Sequence, residues 1–209
     1  MSDLIPELSF KDIEKGDSNS INILKEALSN HGFFSITNHG LSKDLIDCCY
    51  KCSKDFFDLD FETKNTYSSV GSKGARGYTP KGIETAVGEK IADQKEFWHH
   101  GPVVDDTYDD NIPKNINIKE VEDFNKHFDA LYIELHQIGT RVLKVIALSL
   151  GLDRDYFDNW VEKGNSLLRS IHYPPVDSQS NPHRARAHED INLITLLIGA
   201  EEGGLEVLN

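Results

Sequence analysis

Ala187-His188-Glu189-Asp190 leads directly into Ile191-Asn192-Leu193-Ile194-Thr195-Leu196-Leu197-Ile198, a polar tripeptide opening a run of strand-forming apolar residues. Such a run reads as a strand over 187–198. On a strand, residues i and i+2 project to the same side, so His188 and Asp190 converge while Glu189 faces away. One imidazole and one carboxylate on one face supply two of the three ligands of a 2-His-1-carboxylate site, which holds Fe(II) and leaves positions open. The same tripeptide pattern recurs at His127-Phe128-Asp129, inside a helical stretch. There i and i+2 lie about 200° apart around the axis and cannot share an ion, so that pair reads as solvated helix surface. An H-x-D tripeptide is a weak signal alone, and a hydrogen-bonded pair at a strand end competes for His188 and Asp190.

Working outward, Leu167–Tyr173 reads as another strand, stopped by Pro174-Pro175. Arg169, Ile171 and Tyr173 share one of its faces. An inward Arg and a tyrosine hydroxyl suit a carboxylate, which Arg grips bidentately, although a structural ion pair and a core aromatic fit the same residues. A polar loop, 176–185, joins the two strands. Gly203-Gly204 then turns into Leu205-Glu206-Val207-Leu208, a third strand.

Upstream the periodicity is helical. Ser18-Asn19-Ser20 offers caps for a helix whose apolar face is Ile21, Leu24 and Leu28, ending at His31-Gly32. Phe33–Thr37 reads as a short strand closed by Asn38-His39-Gly40. Ser42 caps a helix running to about Phe57, with Leu45, Cys49, Cys52 and Phe56 on one face. Cys49 and Cys52 form a C-x-x-C, yet no second pair follows to complete a zinc site, so buried reduced thiols are expected. The glycine-rich segment 70–87 reads as loop, and 93–100 as a strand leaving it. Val121, Phe124, Phe128, Leu131, Leu135, Ile138, Val142 and Val145 then mark a long helix, closed by Gly151. Its spacing would also suit a coiled coil, but Gly139 and the lack of ordered flanking charges favour a core helix. Helices with small strands first and strands late make the class α+β.

With 209 residues there is enough chain for a real core. A net charge of −13 argues against a nucleic-acid partner, because nothing neutralises a phosphate backbone. No apolar stretch is long enough to cross a bilayer and no secretory leader is visible, so a cytoplasmic protein is expected.

The whole chain resembles the isopenicillin N synthase-like branch of the Fe(II)- and 2-oxoglutarate-dependent dioxygenases. The resemblance rests on several motifs in order: His31-Gly32-Phe33-Phe34 to Asn38-His39-Gly40, Phe56-Phe57-Asp58-Leu59 with Glu62-Thr63-Lys64, Arg76-Gly77-Tyr78, and Asp93-Gln94-Lys95-Glu96-Phe97. Later, Leu168-Arg169 with His172-Tyr173-Pro174-Pro175, Ala187 to Leu197, and Gly203 to Val207 are similar to the start of that family's catalytic barrel. The family often has Asn where Ile171 stands here. The resemblance implies a helical N-terminal domain over 1–115. Residues 116–209 would then hold the long helix and the first part of a double-stranded β-helix, or jelly roll, incomplete in this chain.

It further implies Fe(II) held by His188 and Asp190, and 2-oxoglutarate contacted by Tyr173 and Arg169. The substrates would be a small organic molecule and O2. Glu84, an acidic residue in the glycine-rich loop, is a candidate contact for a cationic or amino-bearing substrate, and an exposed loop carboxylate is the competing reading. The family's second histidine and its Arg-x-Ser pair lie further downstream, so the chain is expected to be a C-terminally truncated copy whose frame continues past Asn209. Two alternatives are an iron oxidase of the same branch without 2-oxoglutarate, and a catalytically incompetent remnant.

Overall fold

The computed structural model describes residues 5–68, 74–84, 93–175, 187–199 and 206–207. Along the chain the elements are β1 (Glu7–Ser9), α1 (Phe10–Glu14), α2 (Ser18–Asn30), β2 (Ser35–Thr37), α3 (Lys43–Phe57) and α4 (Phe61–Thr66). Then come β3 (Gly77–Thr79), β4 (Glu96–His100), α5 (Phe124–Ser149), α6 (Asp158–Val161) and β5 (Leu168–His172). Helices with two small sheets make the chain α+β, as expected. It divides into two compact units, interleaved in sequence.

The first unit combines residues 1–42, 134–164 and 194–209. In it β1 pairs in parallel with β2, Leu8 opposite Ile36. α2 is capped one residue earlier than expected: the Asp17 carboxylate accepts from the Ser20 backbone N–H at 2.8 Å. A carboxylate there both satisfies an orphan donor and faces the positive end of the helix dipole. The core is Leu8, Phe10, Ile13 and Leu24 closed over Ile138, Val142, Val145 and Ile146 of α5. Arg141 reaches from α5 to α1, donating to both Glu14 oxygens at 2.7 and 2.6 Å. α5 ends as foreseen, with Gly151 at φ 73° and Leu152 N–H donating to Ala147 C=O at 2.9 Å.

The second unit holds residues 43–133 and 165–193. Its sheet has the order β3-β4-β5, all antiparallel, with Tyr78 opposite Trp98 and Trp98 opposite Ser170. β3 lies inside the segment read as loop. Gly77 pairs with His99, so the strand exists because β4 offers a partner, which local sequence does not reveal. α3 buries Cys49, Cys52 and Phe56 as its periodicity predicted, and its cysteines form no disulfide. Phe56 sits edge-on to Tyr78 and Trp98 at 5.9 and 5.2 Å between centroids.

Beneath this aromatic group a buried carboxylate collects three donors. Glu96 accepts from Lys64 Nζ at 3.0 Å and from the Tyr78 hydroxyl at 2.5 Å, and lies 2.8 Å from His172 Nδ1. Both charged residues are almost fully enclosed. Two expected strands differ. Residues 187–199 contain no strand, because none of the described strands supplies them a backbone ladder. The third, 205–208, lies outside the described residues except Glu206 and Val207, which are not in a strand.

Candidate active site

Antiparallel pairing places Arg169 of β5 directly opposite His99 of β4, and Ile171 opposite Phe97. Alternation does the rest: Lys95, Phe97 and His99 share one side of their strand, Glu96 and Trp98 the other. Arg169 Nε donates to His99 Nε2 at 2.7 Å, and its guanidinium lies 4.4 Å from the Phe97 ring centre. The other ring nitrogen, His99 Nδ1, is 2.6 Å from the Gly74 carbonyl. An arginine can only donate and a carbonyl can only accept, so the proton sits on Nδ1 and the ring is neutral. Burial pushes the His99 pKa down, and the charges of Arg169 and Arg76 add to it against the Gly74 hydrogen bond and Glu84.

The guanidinium head reaches Glu84. Arg169 Nη1 stands 3.3 Å from both Glu84 oxygens, while Lys95 Nζ holds the same carboxylate at 2.7 Å. Lys95 also pairs with Asp93 at 3.0 Å. Burial would raise the Glu84 carboxyl, but the Lys95 hydrogen bond and the two cations outweigh it, leaving its pKa lowered. Tyr173 lies in the field of the same four charges; burial dominates and raises its hydroxyl, which stays protonated and able to donate.

Arg169 was expected to point inward with Ile171 and Tyr173; among the described residues it lies on the side of β5 away from α3. The inner face of β5 is Leu168, Ser170 and His172; Ser170 donates to Ser53 of α3 at 2.8 Å and His172 stacks on Phe57. Arg169 and Ile171 occupy the accessible face, which leaves the guanidinium reachable by a ligand. Sequence reasoning assigned no role to Lys95, Asp93 or His99. The i, i+4 spacing of Lys95 and His99, which alternation puts on one side of a predicted strand, was the available signal.

His188 and Asp190 do come together, with Nε2 and Oδ1 at 3.7 Å and both side chains roughly half exposed. They do so without the strand that was to align them. Neighbouring ligands on a first-row ion at about 2.1 Å stand about 3 Å apart, so a small rotation would let both bind one metal. Among the described residues no group of three His, Cys, Asp or Glu side chains could hold an ion. The donor set thus fits two adjacent positions and leaves the third open.

The control tripeptide needs a correction. His127 and Asp129 do lie on α5, but Asp129 is more than solvated surface. Its Oδ1 accepts from Asn115 at 3.3 Å and lies 2.7 Å from Nε2 of His100, a wholly buried ring. The helix position of the pair gave no sign of this tertiary partner.

The family model of the non-haem dioxygenase in morphine synthesis N-terminal region matches residues 5–124. The chain belongs to this family. A 2-oxoglutarate-Fe(II) type oxidoreductase of Aspergillus fumigatus is 29% identical, over 89% of this chain and 58% of its own length. A proline hydroxylase of Petromyces alliaceus is 32% identical, over 88% and 59% respectively. Among solved structures, a 2OG-Fe(II) oxygenase family protein from Caulobacter crescentus superposes with a TM-score of 0.80 at 36% identity, covering 91% of this chain and 62% of that one. This dioxygenase-family chain therefore spans about three fifths of the curated relatives it matches.

Proposed function

We propose that the chain is part of an Fe(II)- and 2-oxoglutarate-dependent oxygenase that oxidises a small organic molecule with O2 in the cytoplasm. The observation carrying this is the approach of His188 Nε2 and Asp190 Oδ1 to 3.7 Å in a chain of this family. In this reading residues 1–115 are the N-terminal domain. Residues 116–209 lead into a jelly-roll barrel whose remaining strands and third ligand come from sequence outside these 209 residues, consistent with the relatives' greater length.

His188 and Asp190 would hold the metal on two adjacent positions. When bound, Fe(II) supplies the place where O2 and the 2-oxo acid meet, the acid leaving as succinate and CO2. Arg169 grips a carboxylate of cosubstrate or substrate through its Nη edge, and the protonated Tyr173 hydroxyl donates beside it. Glu84 sits 3.3 Å from that edge, loosely, while Lys95 holds it more closely. A ligand carboxylate can therefore displace it from Arg169 without stranding its charge. Glu84 then faces the incoming molecule and favours a cationic or amino-bearing group there.

The test uses the full-length gene product under anaerobic conditions. His188→Ala and Asp190→Ala should each weaken Fe(II) binding by roughly 100-fold and abolish succinate formation, whereas His127→Ala should change neither. Wild-type iron affinity in either ligand variant would refute the assignment.

A further inference from the structure

The contact between His99 and Arg169 is unusual in its chemistry. An arginine Nε–H held by another side chain is ordinarily met by a carboxylate, which offsets its charge. Here the acceptor is a neutral ring nitrogen at 2.7 Å, and the ring is locked in that tautomer by Gly74 from its other side. Phe97 supports the guanidinium plane at 4.4 Å. The Nε end is thus fixed in direction by a partner that carries no counter-charge, and the one carboxylate on the guanidinium among the described residues, Glu84, stands off at 3.3 Å. Among the described residues, the guanidinium's other hydrogen bonds are the long pair from Nη1 to Glu84, so Nη2 remains for a ligand.

We propose that His99 is a positioning residue, holding Arg169 so that its Nη edge is presented, still fully charged, to a ligand carboxylate. This rests on the reading of Arg169 as a carboxylate-binding residue. An acidic residue at position 99 would orient the arginine equally well but would compete with the ligand for its charge. A hydrophobic one would leave Nε without a partner and the head free to swing toward Glu84. Glutamine is the informative substitute, because its amide oxygen can stand where Nε2 stands and does not titrate.

Protonating His99 would set an N–H against the Arg169 Nε–H and place two cations in contact. The charged groups facing the ring are Arg169 from β5, Arg76 beside β3 and Glu84 from the loop before β4, with the Gly74 carbonyl at Nδ1. Cations prevail and the ring is buried, so the neutral form persists to below the ordinary histidine range of 6.5.

The experiment titrates succinate into the metal-free full-length protein by NMR, which separates carboxylate binding from iron loading and turnover. His99→Phe should weaken succinate binding roughly tenfold, and His99→Gln should stay within about threefold of wild type. Wild-type affinity should fall in the acid range below 6.5 more steeply than that of His99→Gln. Imidazole nitrogen shifts of the wild type should show His99 protonated on Nδ1 alone at neutral pH, a readout independent of any variant's folding. A proton on Nε2 at neutral pH overturns the proposal. So does a His99→Phe protein that binds succinate normally while Arg169→Ala does not. Unchanged binding in Arg169→Ala instead removes the carboxylate reading of Arg169 itself, and the proposal with it.

Discussion

Replacing Glu96 by Gln removes one charge from an enclosed ion pair while keeping its shape. Lys64 Nζ lies 3.0 Å from Glu96 Oε2. At an effective dielectric of about 20, attraction at that separation amounts to about 5–6 kcal/mol gross. The glutamine oxygen still accepts one of the three hydrogen bonds, so the net loss should be about 3–4 kcal/mol, the range for orphaning a buried charge. Urea unfolding followed through the fluorescence of Trp98, which is 1% exposed in the same sheet, would report it. The midpoint should fall by about 1–2 M. Adding Lys64→Met should recover part of the loss, because the orphaned ammonium is then gone.

Burial alone would raise the Glu96 carboxyl, but hydrogen bonds from Tyr78, His172 and Lys64 prevail and its pKa lies below the ordinary 4.5. Its stabilisation is therefore fully present above about pH 4.5 and is lost as pH falls through the lowered value. The gap between wild type and Glu96→Gln should be constant near neutrality and close in that acid window. A variant within about 1 kcal/mol of wild type at pH 7, or a gap indifferent to acid, would refute the reasoning.

Gly101→Ala should destabilise by about 3 kcal/mol in the same assay, since overpacking is costly. Its new Cβ would fall 2.0 Å from Cζ of Arg76, a side chain only 1% exposed and hydrogen-bonded to Ala75 and Asn165. Asp129→Ala should cost about 1–3 kcal/mol by stripping the carboxylate from buried His100, whereas His127→Ala should cost under about 0.5 kcal/mol. Burial, with lesser help from its neighbouring cysteines, pushes the Cys49 thiol up to about 12. A thiol reagent at pH 8 should accordingly spare Cys49 in the folded protein and label it in urea, where burial is lost.

Much of this protein was legible in its sequence because the relevant physics is local. The apolar stripe from Phe124 to Val145 specified α5, the faces of α2 and α3 followed from three-to-four spacing, and Gly151 ended α5 where a left-handed residue was needed. Burial of Cys49 and Cys52 followed from the same periodicity, whereas the approach of His188 to Asp190 was expected from a strand that the described residues 187–199 do not form. What sequence could not supply was partnership across distance. That β5 pairs with β4, across the whole of α5, decides that Arg169 meets His99 and that His172 meets Glu96. The strand β3 exists because His99 stands opposite Gly77, and no strand forms over 187–199 where no described ladder reaches. A helix satisfies its own backbone within four residues, so its sequence carries its signature. A strand's hydrogen bonds belong to another segment, and so does the environment of every side chain that the pairing brings to its face.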